Sequence, residues 1–271
     1  MIARVLIIVL VSCGQSPGAS GQTVDEIIAK NLAARGGIEK MRAIRTMVVT
    51  AKLVTPGGSG AITVRLRRPD NIQEDLTLGG EQSIRTFDGS SAWVVKRAAG
   101  HEDVTPLAGG DLENLRDEGA NGIDGTLADY GSKGNTVELD GAAVVKEKTC
   151  YKLKVTLRSG HVQYLYLDSH TFLEIREEIV RAFNGKETLI EETIGDYRLA
   201  GGVLFPHTFV SGLIGSAQKT TLSIEKIELN PALDDSLFRM PKTKTGGNAA
   251  NHGRRAEATL PGRKGRARSS A

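Results

Sequence analysis

Period-two alternation constrains this chain more than any other feature of it. Met47, Val49, Ala51 and Leu53 share one parity before Pro56-Gly57-Gly58, and Ile62, Val64 and Leu66 share one before Pro69-Asp70. Residues Phe87 to Trp93 read as strand, turn, strand. Tyr151, Leu153, Val155 and Leu157 alternate with Lys152, Lys154, Thr156 and Arg158, and Ser159-Gly160 leads straight into Val162, Tyr164 and Tyr166. Asp168-Ser169-His170 then turns into Leu173, Ile175 and Ile179, with Glu174, Arg176 and Glu178 expected to face water. Asn184-Gly185 is the strongest hairpin signal, and two further strands are expected over 203–210 and 220–229. Hairpin-linked strands with one apolar face form an antiparallel meander. A sheet of about ten or eleven such strands must curl. With aromatic residues at only 4%, its interior has to be aliphatic.

Two segments break the alternation. Thr23 and Glu26 form a capping box, and Val24, Ile27, Ile28, Leu32 and Ala33 follow at helical spacing. Gly36-Gly37 ends that helix. Midway, Asp111 to Arg116 has a helical pattern and runs into a Gly-rich connection over 119–134. If the sheet curls around its apolar face, these two segments are its natural plugs.

The ends lie outside this fold. Arg4, the apolar run from Val5 to Val11 and the small residues up to Gly21 have the layout of a secretory signal peptide, the run being too short to span a bilayer. Two processing sites compete. Leu10-Val11-Ser12-Cys13 has the form of a bacterial lipobox, which would lipidate Cys13 and anchor the protein to the envelope. Ala19-Ser20-Gly21 before Gln22 has the form of an ordinary cleavage site, and the short apolar run leans toward plain export to the periplasm. Cys150 would then be the sole cysteine, with no internal disulfide to form. It reads as a small strand hydrophobe rather than a reactive thiol. From Lys242 to Ala271, eight basic residues accompany one acid, Glu257; the whole chain carries +3, so residues 1–241 carry −4. A tail so poor in apolar residues is expected to be disordered, either without a role or adhering to an anionic membrane surface. It has no aromatic residue to stack on bases, which argues against nucleic acid. Residues 22–241 remain as one domain.

Catalytic constellations are lacking. His101, His161, His170, His207 and His252 include no pair at i, i+4, and neither HExxH, a G-x-S-x-G elbow, GxGxxG nor a P-loop occurs. His101-Glu102-Asp103 reads as a solvated loop rather than a metal site. Glu191-Glu192 would point to opposite faces of a strand, and Asp234-Asp235 reads as the start of a helical turn. No metal, cofactor or enzymatic activity is expected. What the sequence offers is more apolar sheet face than one helix can cover, which suits a binder of something apolar.

Several stretches resemble the bacterial outer-membrane lipoprotein-sorting (LolA-like) family of periplasmic carriers. They are Ala29 to Gly37, Gly125 to Tyr130, Tyr151 to Val155, Gly195-Asp196-Tyr197-Arg198 leading to Gly202 to Pro206, and Asn230-Pro231 with Leu237 to Pro241. Together they span essentially 22–241, with the basic tail as a departure. The resemblance implies a mainly β (α+β) fold: a long curved antiparallel sheet forming a half-open barrel, covered by the N-terminal helix and the short helical insert. It also implies carriage of lipid or lipoprotein acyl chains in an apolar cavity. Period-two placement gives the expected lining as Trp93, Tyr164, Tyr166, Leu173, Ile175, Leu153 and Val155, the alternative being that the tyrosines cover the outer, wet face. The competing reading is a structural or sensory envelope domain with a filled core that binds a protein partner. An empty apolar cavity of several hundred cubic ångström separates the two.

Overall fold

In the computed structural model, residues 21–183 and 186–241 are described, and their alternation resolves into one antiparallel sheet of thirteen strands. Helix α1 (Val24–Ala34) opens at Thr23. Its hydroxyl accepts from the Glu26 amide at 3.3 Å, and Glu26 Oε2 accepts from the Thr23 amide at 2.9 Å, completing the capping box. After α2 (Ile38–Arg42) the chain enters β1 (Thr46–Thr55). It walks outward through β2 (Gly58–Arg67), β3 (Asn71–Leu78), β4 (Glu81–Phe87) and β5 (Ala92–Ala98) to an edge strand, β6 (His101–Leu107). Helix α3 (Gly110–Asn121) and residues 122–135 carry it to the opposite edge, β7 (Thr136–Val145). It returns through β8 (Lys148–Thr156), β9 (Val162–Asp168), β10 (Glu174–Phe183), β11 (Lys186–Ala200) and β12 (Val203–Leu213) to β13 (Thr220–Leu229). β13 pairs with β1, so the two meanders join at the middle while β6 and β7 stay apart and the barrel stays open.

The sheet has more strands than the sequence pattern shows, and the reason is polarity. β6 and β7 are each exposed on most of their residues, so neither displays a buried face to alternate. His101-Glu102-Asp103, expected in a loop, therefore begins an edge strand, where charge also discourages pairing with another chain. Asn184 and Gly185 lie outside the described residues, but Phe183 pairs with Lys186 on either side of them. The signal-peptide segment with Cys13 and the basic tail also lie outside the described residues. Among those described, no helix is long and apolar enough to cross a membrane.

The helices sit on the concave face. α1 buries Ile27 and Ile28 against Leu153, Val155, Leu157, Leu165 and Leu167, with Leu127 from the connection closing the cluster. Ala33 is exposed, and Asn31 and Arg35 are buried in its stead. α3 packs against β3, β4 and β5 and also against β10, so it bridges the two meanders. It lies so close to the β2–β3 turn that a Cβ on Gly119 would stand 2.0 Å from the Asp70 carbonyl oxygen. Gly36 makes a similar approach to the Gly202 carbonyl, at 2.2 Å, with φ of +114°. A second cluster, with Met47, Leu66, Ile72, Phe87, Leu115 and Phe205, packs between α2, α3 and the β1–β5 meander. The Asp234 carboxylate accepts from the Ser236 amide at 2.7 Å and starts the 3-10 turn Asp235–Phe238, as the acid pair predicts.

Candidate functional site

Between α3 and the middle of the sheet lies a cavity of about 340 Å³. Its wall is built from cross-strand rows. Val64, Val49 and Ile227 stand side by side on β2, β1 and β13, and Ile194, Phe209 and Leu222 on β11, β12 and β13. Met47, Leu66, Phe205 and Ile224 extend this apolar surface, and Gly122 and Ile123 close it from the connection after α3. Each row exists because alternation places every second residue of each strand on the concave face and register aligns them.

The seven residues expected to line a cavity sit elsewhere. Leu153 and Val155 are on the concave face but fully buried under α1, where no space is left. Tyr164, Tyr166 and Ile175 share the opposite, convex face with Cys150 and Val145. There Lys152 Nζ stands 4.2 Å from the Tyr164 ring centre, and the Tyr166 hydroxyl donates to Glu178 at 3.0 Å. Trp93 is 2% exposed and pairs with Thr86 and Pro106, on the side away from the Phe87–Ala92 pair that joins the concave core. Leu173 is half-buried in the β9–β10 connection. None of the seven borders the 340 Å³ space.

Two physical facts explain the difference. β9 is apolar on both faces, Leu165 and Leu167 pointing inward and Tyr164 and Tyr166 outward, so its pattern does not reveal which face is the core. In β10 a bulge between Glu174 and Arg176 accommodates Ile175 and reverses parity. Glu174 and Glu177 consequently face the cavity, where Glu174 was expected to face water. The lining of this cavity is present in the sequence as the shared parity of Met47, Val49, Val64 and Leu66, residues without the aromatic side chains of the β9–β10 hairpin.

No protein-family model matches the sequence, and no curated protein matches it. Solved structures do match. An outer membrane lipoprotein-sorting protein domain from Vibrio parahaemolyticus aligns with a TM-score of 0.52 and 10% identity, over 79% of this chain and 94% of that one. A LolA superfamily protein from Nitrosomonas europaea aligns at 0.50 and 15% identity, over 81% and 98%. A DUF1329 family protein from Desulfovibrio piger aligns at 0.51 and 11%, over 81% and 98%. The fold is the LolA-type half-barrel. The sequence resemblance thus holds at the level of architecture.

In this half-barrel the cavity has a polar end. Glu74 on β3, Asp117 and Glu118 on α3, and Glu174 and Glu177 on β10 border it, with Arg35 at the end of α1. Arg85 bridges Glu74 and Glu118, donating from Nε to Glu74 at 2.8 Å. Burial pushes the Glu74 carboxyl up to about 7, the Glu118 charge adds to the rise, and Arg85 opposes both. Asp117 accepts from Ser159 Oγ at 2.6 Å and lies 3.0 Å from His161 Nδ1. Arg35 donates from Nη1 to the Asp124 carbonyl at 3.0 Å, and its Nε is buried without a partner among the described residues. The Tyr197 hydroxyl donates to the Glu174 carbonyl at 2.9 Å, and burial, then the Glu174 charge, raises that phenol far above its ordinary range. The Cys150 thiol is pushed up by burial and by the Asp168 charge, the opposite of what a nucleophile needs. Among the described residues, no group of three His, Cys, Asp or Glu side chains is placed to hold a metal ion.

Proposed function

We propose that the protein is an exported carrier that holds a lipid or lipoprotein acyl chain in the cavity between α3 and the strands β1, β2, β12 and β13. The observation that carries this reading is the cavity itself. Its 340 Å³ falls in the range of small-ligand sites, and the wall built by β1, β2, β12 and β13 is aliphatic with one aromatic edge at Phe205 and Phe209, opposite the polar residues of α3, β3 and β10. The alternative of a filled core describes the β8–β9 end, where α1 occupies the concave face, but not the middle of the sheet. The likeness to lipoprotein-sorting structures supports the same reading, and the signal-peptide pattern supports export to the periplasm or, through Cys13, anchorage to the envelope. Binding would come from apolar area: about ten methylenes at about 0.8 kcal/mol each yield roughly 8 kcal/mol before ordering costs. No catalytic role is proposed for any residue.

Native mass spectrometry of protein purified from the envelope of expressing cells tests this. The expected spectrum shows a lipid-sized mass adduct on the folded protein that is lost in Val49→Arg and Phe209→Arg, both of which place a charge in the cavity. A wild-type protein that emerges without adduct and takes up no acyl chain when offered one defeats the proposal.

A further inference from the structure

A second concavity, of about 840 Å³, lies beside the first at the end of the half-barrel where α2, the β2–β3 turn and the C-terminal part of α3 converge. Its lining is as basic as the cavity is acidic: seven Arg and Lys side chains against the carboxylates of Asp70, Asp117 and Asp129. Five of the cations have acidic partners. Arg42 is bound to Asp129 at 2.6 Å, Arg68 and Lys133 both to the fully buried Asp124, Arg67 to Asp235 and Arg116 to Glu113. Arg45 and Arg158 form no salt bridge among the described residues, although the Arg158 charge acts on the Asp70 carboxyl, and both are exposed toward solvent. Burial pulls the Lys133 ammonium below the ordinary lysine range against the attraction of Asp124, and the neighbouring Arg68 charge adds a smaller push in the same direction. Crowded cations in a concave surface focus a positive potential, and guanidinium forks match the geometry of phosphate oxygens.

The two concavities adjoin at α3. Asp117 and Asn121, on the last turn and a half of α3, border both. Accepting the carrier reading above, we propose that this groove seats the phosphate head of an anionic amphiphile whose chain occupies the apolar cavity, with the exposed Arg45 and Arg158 guanidiniums, neither held in a salt bridge among the described residues, meeting the phosphate. The neighbouring carboxylates fix the direction of the ligand. Glu118, Glu174 and Glu177 disfavour an anion in the cavity, so the head stays in the groove and the chain goes in.

The test compares three probes on the full processed chain, all below micelle concentration: lysophosphatidate, the monoacylglycerol of the same chain length, and inorganic phosphate. The expected result is that lysophosphatidate binds about tenfold or more tightly than the monoacylglycerol. In the Arg45→Ala/Arg158→Ala double variant this preference falls to near unity while monoacylglycerol binding is unchanged, and added salt erodes the preference in the wild type only. Circular dichroism and melting temperature verify that the double variant folds, and Arg45→Glu/Arg158→Glu should invert the preference. Equal binding of the two lipids by the wild type overturns the head-group assignment and leaves the carrier reading standing. Binding of neither lipid overturns the carrier reading. Phosphate bound as tightly as lysophosphatidate, and lost in the double variant, makes the groove a free-anion site and overturns the amphiphile.

Discussion

The β8–β9 end of the concave face and its centre are built by the same alternation, yet one is packed solid and the other encloses space. The helix on top decides the outcome. α1 turns Ile27, Ile28 and Asn31 inward, and its two isoleucines interlock with Leu153, Val155, Leu165 and Leu167. α3 crosses the centre with Asn114, Leu115, Asp117 and Gly119 as its buried residues and Leu112 half-buried beside them, so two leucines, one near its start, are the large apolar groups it delivers. Gly119 is there because the helix lies against the Asp70 carbonyl, and Asp117 because Ser159 and His161 bind it. A polar helix held in place by its ends and by hydrogen bonds can roof an apolar trough without filling it. The cavity follows from what α3 lacks.

Substitutions can break this contrast at either side. The largest effect is expected from Ile28→Asp, which forces a charge into the packed end or expels α1, at a cost of about 4 kcal/mol read from urea unfolding. An unchanged unfolding midpoint would show that α1 is not a packed element. Leu165→Ala, at a site with no exposure, should cost about 3 kcal/mol, whereas the same truncation at Leu222 on the cavity wall should cost about 1 kcal/mol, since part of its surface already lacks neighbours. Equal losses would mean that the centre is as tightly packed as the end.

Adding volume separates the regions in the opposite sense. Val155→Phe overpacks and should destabilise by about 2 kcal/mol. Val49→Phe grows into existing space, so its melting temperature should hold or rise while acyl-chain uptake drops.

A smaller effect concerns Glu74. Its carboxyl is raised from the ordinary 4.5 to about 7, so the folded state binds a proton that the unfolded chain has released. Its contribution to stability is complete below pH 4.5 and is lost as pH rises through 7. The stability difference between wild type and Glu74→Gln, measured by urea unfolding at pH 5 and pH 8, should therefore shift in favour of the variant at the higher pH. A difference that stays constant with pH would show that Arg85 keeps Glu74 ionised throughout.

Much of the architecture was legible in the chain because local chemistry and global packing agree there. Thr23 with Glu26 starts α1 where the capping box says it should, and Val49 and Val64 face the interior as their parity says. Where legibility failed, information of another kind was needed. The parity of β10 depends on a bulge at Ile175 that leaves no residue signature. The faces of β9 are both apolar, so only the position of α1 tells Leu165 from Tyr166. The strands β6 and β7 hide because an edge strand wet on both sides has no periodicity to show. The cavity was the least legible of all, since it depends on the side chains α3 does not carry.

The unpaired seam between β6 and β7 has a mechanical consequence. Along every other strand boundary, separation means tearing a ladder of backbone hydrogen bonds; along this one it means only a change of twist and a slide of α3 over the strands beneath it. On the carrier proposal, the girth of an admitted cargo would be set by how far the half-barrel flexes about its β1–β13 spine rather than by bond breaking.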